Sequence, residues 1–447
     1  MDIENNLKNR IMQIRPTKVI ITLIITALVF ISHSNLVFGQ ESKQIIGPLL
    51  GHTDTNSVNI WVRLNNEAQY ILEVKKDGSK KWKKFIANAE KDNDFCITWK
   101  VKNLSPSTRY QYRIKNGEVP LNKSNNFSFK TAPSIDSKTQ VHIAFGSGSN
   151  YDKGTAEVWN RISNSNIDAM VILGDTPYID ATKLSTQREK YREFSNFTEF
   201  KDLAQSIPFW GTWDDHDFAF NDSDGTAKGK ENSLKAFKEY RPNNSFGDGN
   251  EGVYTKFSYG SVEVFLLDTR WWSWTAPSYA DSSKKTLLGK KQWEWLKKSL
   301  IESKATFKLI ACGMIWDDKK NTEKDDWGTY MYERDALFSF IGKEKISGVV
   351  LIGGDIHVSR VLRYNTEKEV GYPLYQFITS PLHNRTIKSL NVPHPDLIRD
   401  AVVPHTFMKI TADPTKVPAT LTAEFIDKDG KRLFDNICIT IDQLSPK

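Results

Sequence analysis

Four apolar runs in this 447-residue chain stop on acidic side chains: MVILG before Asp175, PFWGTW before Asp214, VEVFLL before Asp268 and GVVLIGG before Asp355. Short runs in which nearly every residue is apolar fit strands covered on both faces. Between and beside them AEVWNRISN, STQREKYREFSNFTEFKDLAQ, KKQWEWLKKSL and ERDALFSFIGK read as helices. This alternation predicts an α/β domain over residues 138–443. Open α/β sheets hold their ligands beyond the carboxyl ends of the strands. Asp175, the group Asp214-Asp215-His216-Asp217, Asp268 with Arg270, and Asp355 with His357 therefore converge on one edge, although the sequence keeps them far apart.

Upstream the pattern differs. Over 45–133 the pieces SVNIWVRL, YILEVKK, CITWKVKNL, YQYRIK and FSFKTA alternate like half-buried strands, with Gly, Asn, Asp and Pro between them. Regularly spaced short strands with turn residues predict a β-sandwich of fibronectin-like type, read as support or spacing for the domain that follows. The late segments YQFITSP, TFMKITAD, ATLTAEFID and NICITID are strand-rich and close a second sheet.

The first residues read as a targeting segment. Lys8, Arg10, Arg15 and Lys18 precede the apolar run Val19 to Ile31, and a polar stretch ends near Gly39. This is the pattern of a Sec-type signal peptide over 1–39, with an apolar run shorter than the ~20 residues a spanning helix needs. A secreted protein, periplasmic or extracellular, without a membrane anchor after cleavage, is the expectation. The formal charge of +7 comes from interspersed rather than blocked lysines, so no nucleic-acid partner is called for. Cys96, Cys312 and Cys438 lack any ligand spacing and allow at most one bridge.

Carboxylates brought together without partners repel each other and resist ionisation. Cations resolve that conflict. Asp, Asn, His and Tyr side chains suit Mg, Ca, Mn, Zn or iron, and a carboxylate between two ions bridges them. Tyr178, three residues after Asp175, adds a phenol whose anion favours a strongly Lewis-acidic ion such as ferric iron.

The motifs GDTPY, WDDHD followed by Asn221, LDTR and GGDIH stand in the order seen in the alkaline phosphatase D (PhoD-like) family of metallophosphoesterases. The chain resembles that family over nearly its whole length after the leader, and IGPLLGHTDTNSVNIWVR resembles the start of its amino-terminal domain. The resemblance implies a four-layer fold, two packed mixed sheets flanked by helices, preceded by the fibronectin-like sandwich. It implies a metal-dependent phosphoesterase acting on mono- or diesters through a metal-activated water, with two or more ions, Fe3+ and Ca2+ by resemblance, or Mg, Mn or Zn. Asp175 is the implied bridging ligand, with Tyr178, Asn221, Asp355 and His357 as further ligands. Asp215 competes with Asn221 for one ligand position. His216 is the implied phosphate-facing catalytic residue and Arg270 a second phosphate contact, while Asp214 and Asp217 orient ligands.

One position departs from the family. Its members commonly carry a ligating Cys in the first strand-end motif, where this chain reads FGSGSNY with Gly148. The rival reading is therefore a catalytically silent extracellular binding protein of the same fold. Two further expectations concern the surroundings. The tryptophans around the motifs are mostly core, with part of the Trp271 to Trp274 cluster an alternative wall for the site entrance, and DDKKNTEKDDWG from Asp317 forms a charged, solvated surface loop. His383 and His405 belong to no motif.

Overall fold

A computed structural model describes residues 45–121 and 127–447, and the targeting segment expected over 1–39 lies outside them. Two sheets come first. One pairs Ile46–Thr53, Val58–Arg63 and Cys96–Val101. The other is built on Ala68–Lys76 and Arg109–Asn116, edged by Lys83–Ala89 and Phe127–Lys130. Period-two alternation places Val58, Ile60 and Val62 of one sheet against Leu72, Val74 and Tyr112 of the other in a single core. Lys83–Ala89 is a strand the sequence reading passed over.

The rest is α/β. One mixed sheet runs Phe209–Thr212, Ala169–Leu173, Val141–Gly146, Thr406–Asp413, Thr420–Asp427, Ile437–Thr440, with the first three strands parallel. A second runs Thr255–Tyr259, Val262–Leu266, Phe307–Ala311, Val349–Gly353, Leu374–Ile378, Ser359–Tyr364, Leu397–Ala401. Its four middle strands, from Val262–Leu266 to Leu374–Ile378, are parallel. Every residue of Ala169–Leu173, Val262–Leu266, Phe307–Ala311 and Val349–Gly353 is buried, which is why these runs carry no polar alternation.

The faces separate by register. Ile143, Phe145, Val171, Met408 and Ile410 turn toward the second sheet, sharing a core with Val264, Leu309 and Leu351. Ala144, Met170 and Ile172 turn the other way onto Trp159, Phe194 and Phe200 of the helices Lys153–Ser163, Leu184–Ser195 and Thr198–Ala204. The long helical stretch expected from 185 to 205 is thus two helices. Gly289–Glu302 and Met331–Lys343 bury Trp293, Leu296, Leu337 and Ile341 against the second sheet. Two packed mixed sheets flanked by helices are the four layers expected. Each large apolar side chain withdrawn from water in this stack contributes about 1.5–3 kcal/mol. All three cysteines are free. Among the described residues no helix is long and apolar enough to cross a membrane.

Candidate metal centre

The parallel strands of both sheets end on one side, and their ends carry the acids. Asp175 follows Ala169–Leu173 through Gly174, whose positive φ of 84° and close approach to Asp214 leave no room for a Cβ, with the nearest atom at 2.4 Å. Asp175, Asp355 and His357 themselves sit at positive φ, 50°, 67° and 55°. Left-handed backbone costs a non-glycine residue of order 1–3 kcal/mol and persists where surrounding contacts hold it. The holding contacts are present. Asp217 Oδ1 accepts from the backbone N–H of Asp214 at 2.5 Å and of Asp175 at 3.4 Å, tying two strand ends together. The Ser380 hydroxyl accepts from His357 N at 3.1 Å.

These ends surround a cavity of about 400 Å³ lined by Asp175, Tyr178, Asp215, His216, Asn221, Asp355 and His357, the implied ligands and the implied phosphate-facing histidine, but not by Arg270. One oxygen each of Asp175, Asp214 and Asp355 lie within 4.8 Å of one another, as do donor atoms of Asp175, Asp215 and His216, and of Asp215, Asp222 and Asp325. Burial and the neighbouring Asp215, Asp214, Asp217 and Asp355 push Asp175 well above the usual carboxylate range. Burial, with Asp325 and Asp215 adding to it, raises Asp355 to about 7 against the opposing pull of Lys319. Burial likewise raises Asp217 to about 7. Asp215 is the exception: burial raises it, but Arg270, His216 and the Asp222 N–H together hold it below its ordinary value.

Arg270 sits elsewhere than the cavity. Its guanidinium is 1% exposed and donates to Asp214 Oδ1 from Nε at 2.7 Å and from Nη2 at 2.5 Å. It also reaches Asp325 Oδ2 at 3.3 Å. Burial works against its charge, but Asp214, Asp215, Asp325 and Asp355 outweigh that and keep it firmly protonated. It fixes Asp214, and Asp268 caps its backbone N–H.

The histidines are set by their partners. His216 contacts Asp180 Oδ1 through Nδ1 at 2.6 Å, leaving Nε2 for the cavity. His383 N–H donates to Gly148 O, and Arg385 N–H donates to His383 Nδ1 at 2.9 Å. The proton of its neutral ring therefore sits on Nε2 and is donated to Tyr178 Oη at 2.9 Å, which frees the phenol to donate to His357 Nε2 at 3.1 Å. Burial keeps both rings neutral, lowering His357 to about 3 and His383 to about 4. His383, unassigned in the sequence reading, thus faces the cavity. His405 instead contacts Leu382 O and Asp152.

Gly148 lies where the departure from the family pattern placed it. A Cβ there points between Tyr178 Oη, 3.2 Å away, and His383 Nε2, 3.4 Å away. Of the surroundings, the core reading of the tryptophans holds and the solvated loop is corrected. Trp271 stacks inside on Trp213, and the cluster leaves the cavity free of tryptophan. The segment from Asp317 is no solvated loop, because Lys319, Asp325 and Asp326 are buried and Lys319 reaches Asp355 and Asp325.

With that geometry in place, comparison with known proteins decides the family. The PhoD-like phosphatase family model matches residues 143–414, more than half of the chain. The chain belongs to the PhoD-like phosphatase family. Alkaline phosphatase D of Bacillus subtilis (strain 168) is 25% identical over 309 residues, 57% of this chain and 52% of that protein, so the match spans about half the relative's length. The solved structure of PhoD superimposes with a TM-score of 0.72 at 19% identity, over 89% of this chain and 90% of that one. Purple acid phosphatase PPD1 from yellow lupin (Lupinus luteus) seeds gives 0.67 at 13% identity, over 89% and 74%. Both share the fold.

The residues present fit a metal group. Asp175 Oδ1 and Asp215 Oδ1 are buried without a hydrogen-bond partner among the described residues. Hard carboxylate and phenol oxygens with imidazole nitrogen make a donor set for divalent or ferric ions.

Proposed function

We propose that this chain is a secreted metal-dependent phosphoesterase hydrolysing phosphate mono- or diesters by attack of water. One observation carries the reading: the four separated strand-end motifs deliver Asp175, Tyr178, Asp215, Asn221, Asp355, His357 and His216 to one cavity. Membership of the PhoD-like family and the apolar leader in the sequence support it. The sandwich over 45–133 is its supporting domain, and the catalytic domain spans 138–443.

Asp175, Tyr178, Asp355 and His357, with Asp215 or Asn221, would hold the ions. Bound ions supply Lewis acidity, lowering the pKa of water and stabilising charge on phosphate oxygens. The chain's own groups do the rest. Asp180 accepts from His216 Nδ1–H and holds the ring so that, as the imidazolium, its Nε2–H faces the substrate, donates to a phosphate oxygen and passes that proton to the leaving oxygen. Arg270 fixes Asp214 behind the cluster. Asp217 holds the backbone that presents Asp175. The silent-binding alternative rests on Gly148 alone, and the retained donors and family membership do not favour it.

The test is hydrolysis of p-nitrophenyl phosphate and bis(p-nitrophenyl) phosphate by metal-reconstituted protein and its Asp175→Asn variant. Turnover of either ester, lost in the variant, is expected, and the ratio of the two assigns the substrate class. Absence of turnover with both esters across the candidate metals overturns the reading.

A further inference from the structure

The acid cluster meets a second fixed cation besides Arg270. It comes from the segment between strand Phe307–Ala311 and helix Met331–Lys343. Lys319 Nζ lies 2.6 Å from Asp325 Oδ1, 2.8 Å from Asp355 Oδ2 and 3.1 Å from Glu323 Oε2. Its side chain is only 2% exposed. The backbone beneath is pinned as well: Lys319 N–H donates at 2.7 Å to Asp326 Oδ2, and the other oxygen of that carboxylate accepts from Thr329 N. Freezing and burying a lysine is costly, in rotamer entropy and in desolvation, unless anions compensate it closely.

The position matters more than the pairing. Asp355 belongs to the acid group with Asp175 and Asp214, and Asp325 to the group with Asp215 and Asp222. Lys319 therefore stands between the two groups, taking one oxygen from each. Asp215 Oδ1, 3% exposed as a residue and without a hydrogen bond, marks the neighbouring space. A divalent ion bridging the groups would compete with the ammonium for the same two carboxylates. A tethered charge also has the advantage of place, since its local concentration is set by the chain and not by the solution.

We propose that Lys319 is a resident cation that holds the Asp325–Asp355 lobe in place of a divalent ion, and so sets how many metal ions this site takes. The inference rests on the metal-binding reading of the same cavity. An ammonium positions Asp355 but has no vacant coordination position for water, so the lobe it holds is a structural one. Chelators remove ions from the remaining ligands and leave this lobe intact.

The experiment compares wild type, Lys319→Met and Lys319→Arg after dialysis against one fixed free calcium concentration and, separately, manganese. Metal per chain is measured by elemental analysis and affinity by calorimetry. Lys319→Met is expected to take up an additional ion per chain, or to bind its weakest ion at least about tenfold tighter, once the competing charge is gone. Lys319→Arg is expected to match wild type. Equal stoichiometry and affinity in wild type and Lys319→Met overturns the proposal. Asp325→Asn gives an independent reading should Lys319→Met fail to fold. It keeps the wild-type ion count if the lysine fills the lobe, and loses an ion if a metal does, which also overturns the proposal. A wild type that binds no metal contradicts the phosphoesterase reading instead, and the gain in Lys319→Met still decides the lysine's role.

Discussion

A side chain built at Gly148 enters the space bounded by Tyr178 Oη and His383 Nε2. Gly148→Cys puts a non-glycine residue at φ 66°, a cost of roughly 1–2 kcal/mol. The metal-free variant should melt below wild type, while its thiolate should retain metal through dialysis against chelator concentrations that strip wild type. Unchanged retention would show that the space does not reach the ions. His216→Ala should lower kcat about 10²–10⁴-fold with metal content kept, and Asp180→Asn about 10–100-fold through loss of ring orientation. A kcat near wild type in His216→Ala would move the proton donor elsewhere. Most of these residues were legible because each follows an apolar strand. His383 obeys the same rule, following Leu374–Ile378, but without an acidic companion it carries no recognisable motif. Arg270 was misplaced because strand-end position does not tell which way a long side chain turns, and Asp214 captured it.

Among elements, the turn after Lys91–Asn93 ties the first sheet to the helices. Asp94 accepts from Arg63 Nε at 3.1 Å, Arg192 Nη1 at 2.8 Å and the Tyr240 hydroxyl. Burial raises this carboxyl, but Arg63, Tyr240 and Arg192 outweigh it and hold it below the usual range. A depressed folded value means the stabilisation is present above the unfolded carboxyl's range and is lost as pH falls through the folded one. Asp94→Asn removes the carboxylate charge shared by Arg63 and Arg192 and should cost about 1.5–3 kcal/mol, read from the urea midpoint at neutral pH. A loss below ~1 kcal/mol would mean the pairs are mere surface contacts. Here the sequence was less informative. The helix Lys230–Tyr240 begins on Gly229 with no side-chain cap, and its buried Ser233 and Glu239 blur the apolar spacing. Lys83–Ala89 is an edge strand, largely exposed and rich in lysine, so it lacks the alternation that marks a half-buried strand.

Over the whole molecule, the two stacked sheets concentrate acid at one edge, and the fold carries that electrostatic load. The layers were readable because strands buried on both faces admit few polar residues. The loop from Asp317 was not, since Lys319 and Asp325 are buried through Asp355 and Arg270, partners distant in sequence. Asp217 and Asp355, both raised to about 7, keep protons in the folded chain over a range where the unfolded chain releases them. The unfolded state therefore binds fewer protons between about pH 4 and 7, and stability of the metal-free protein falls as pH rises through that window. Chelator-treated protein should lose on the order of a few kcal/mol between about pH 5 and pH 8, and added metal should restore it. A pH-independent melting temperature in chelator would contradict this. The most direct test of the central claim, that the strand-end acids form a metal centre, is elemental analysis of purified protein beside Asp175→Asn. Two or more ions per folded wild-type chain, with fewer in the variant, is the predicted result. Equal metal content in the two, or none in either, would contradict it.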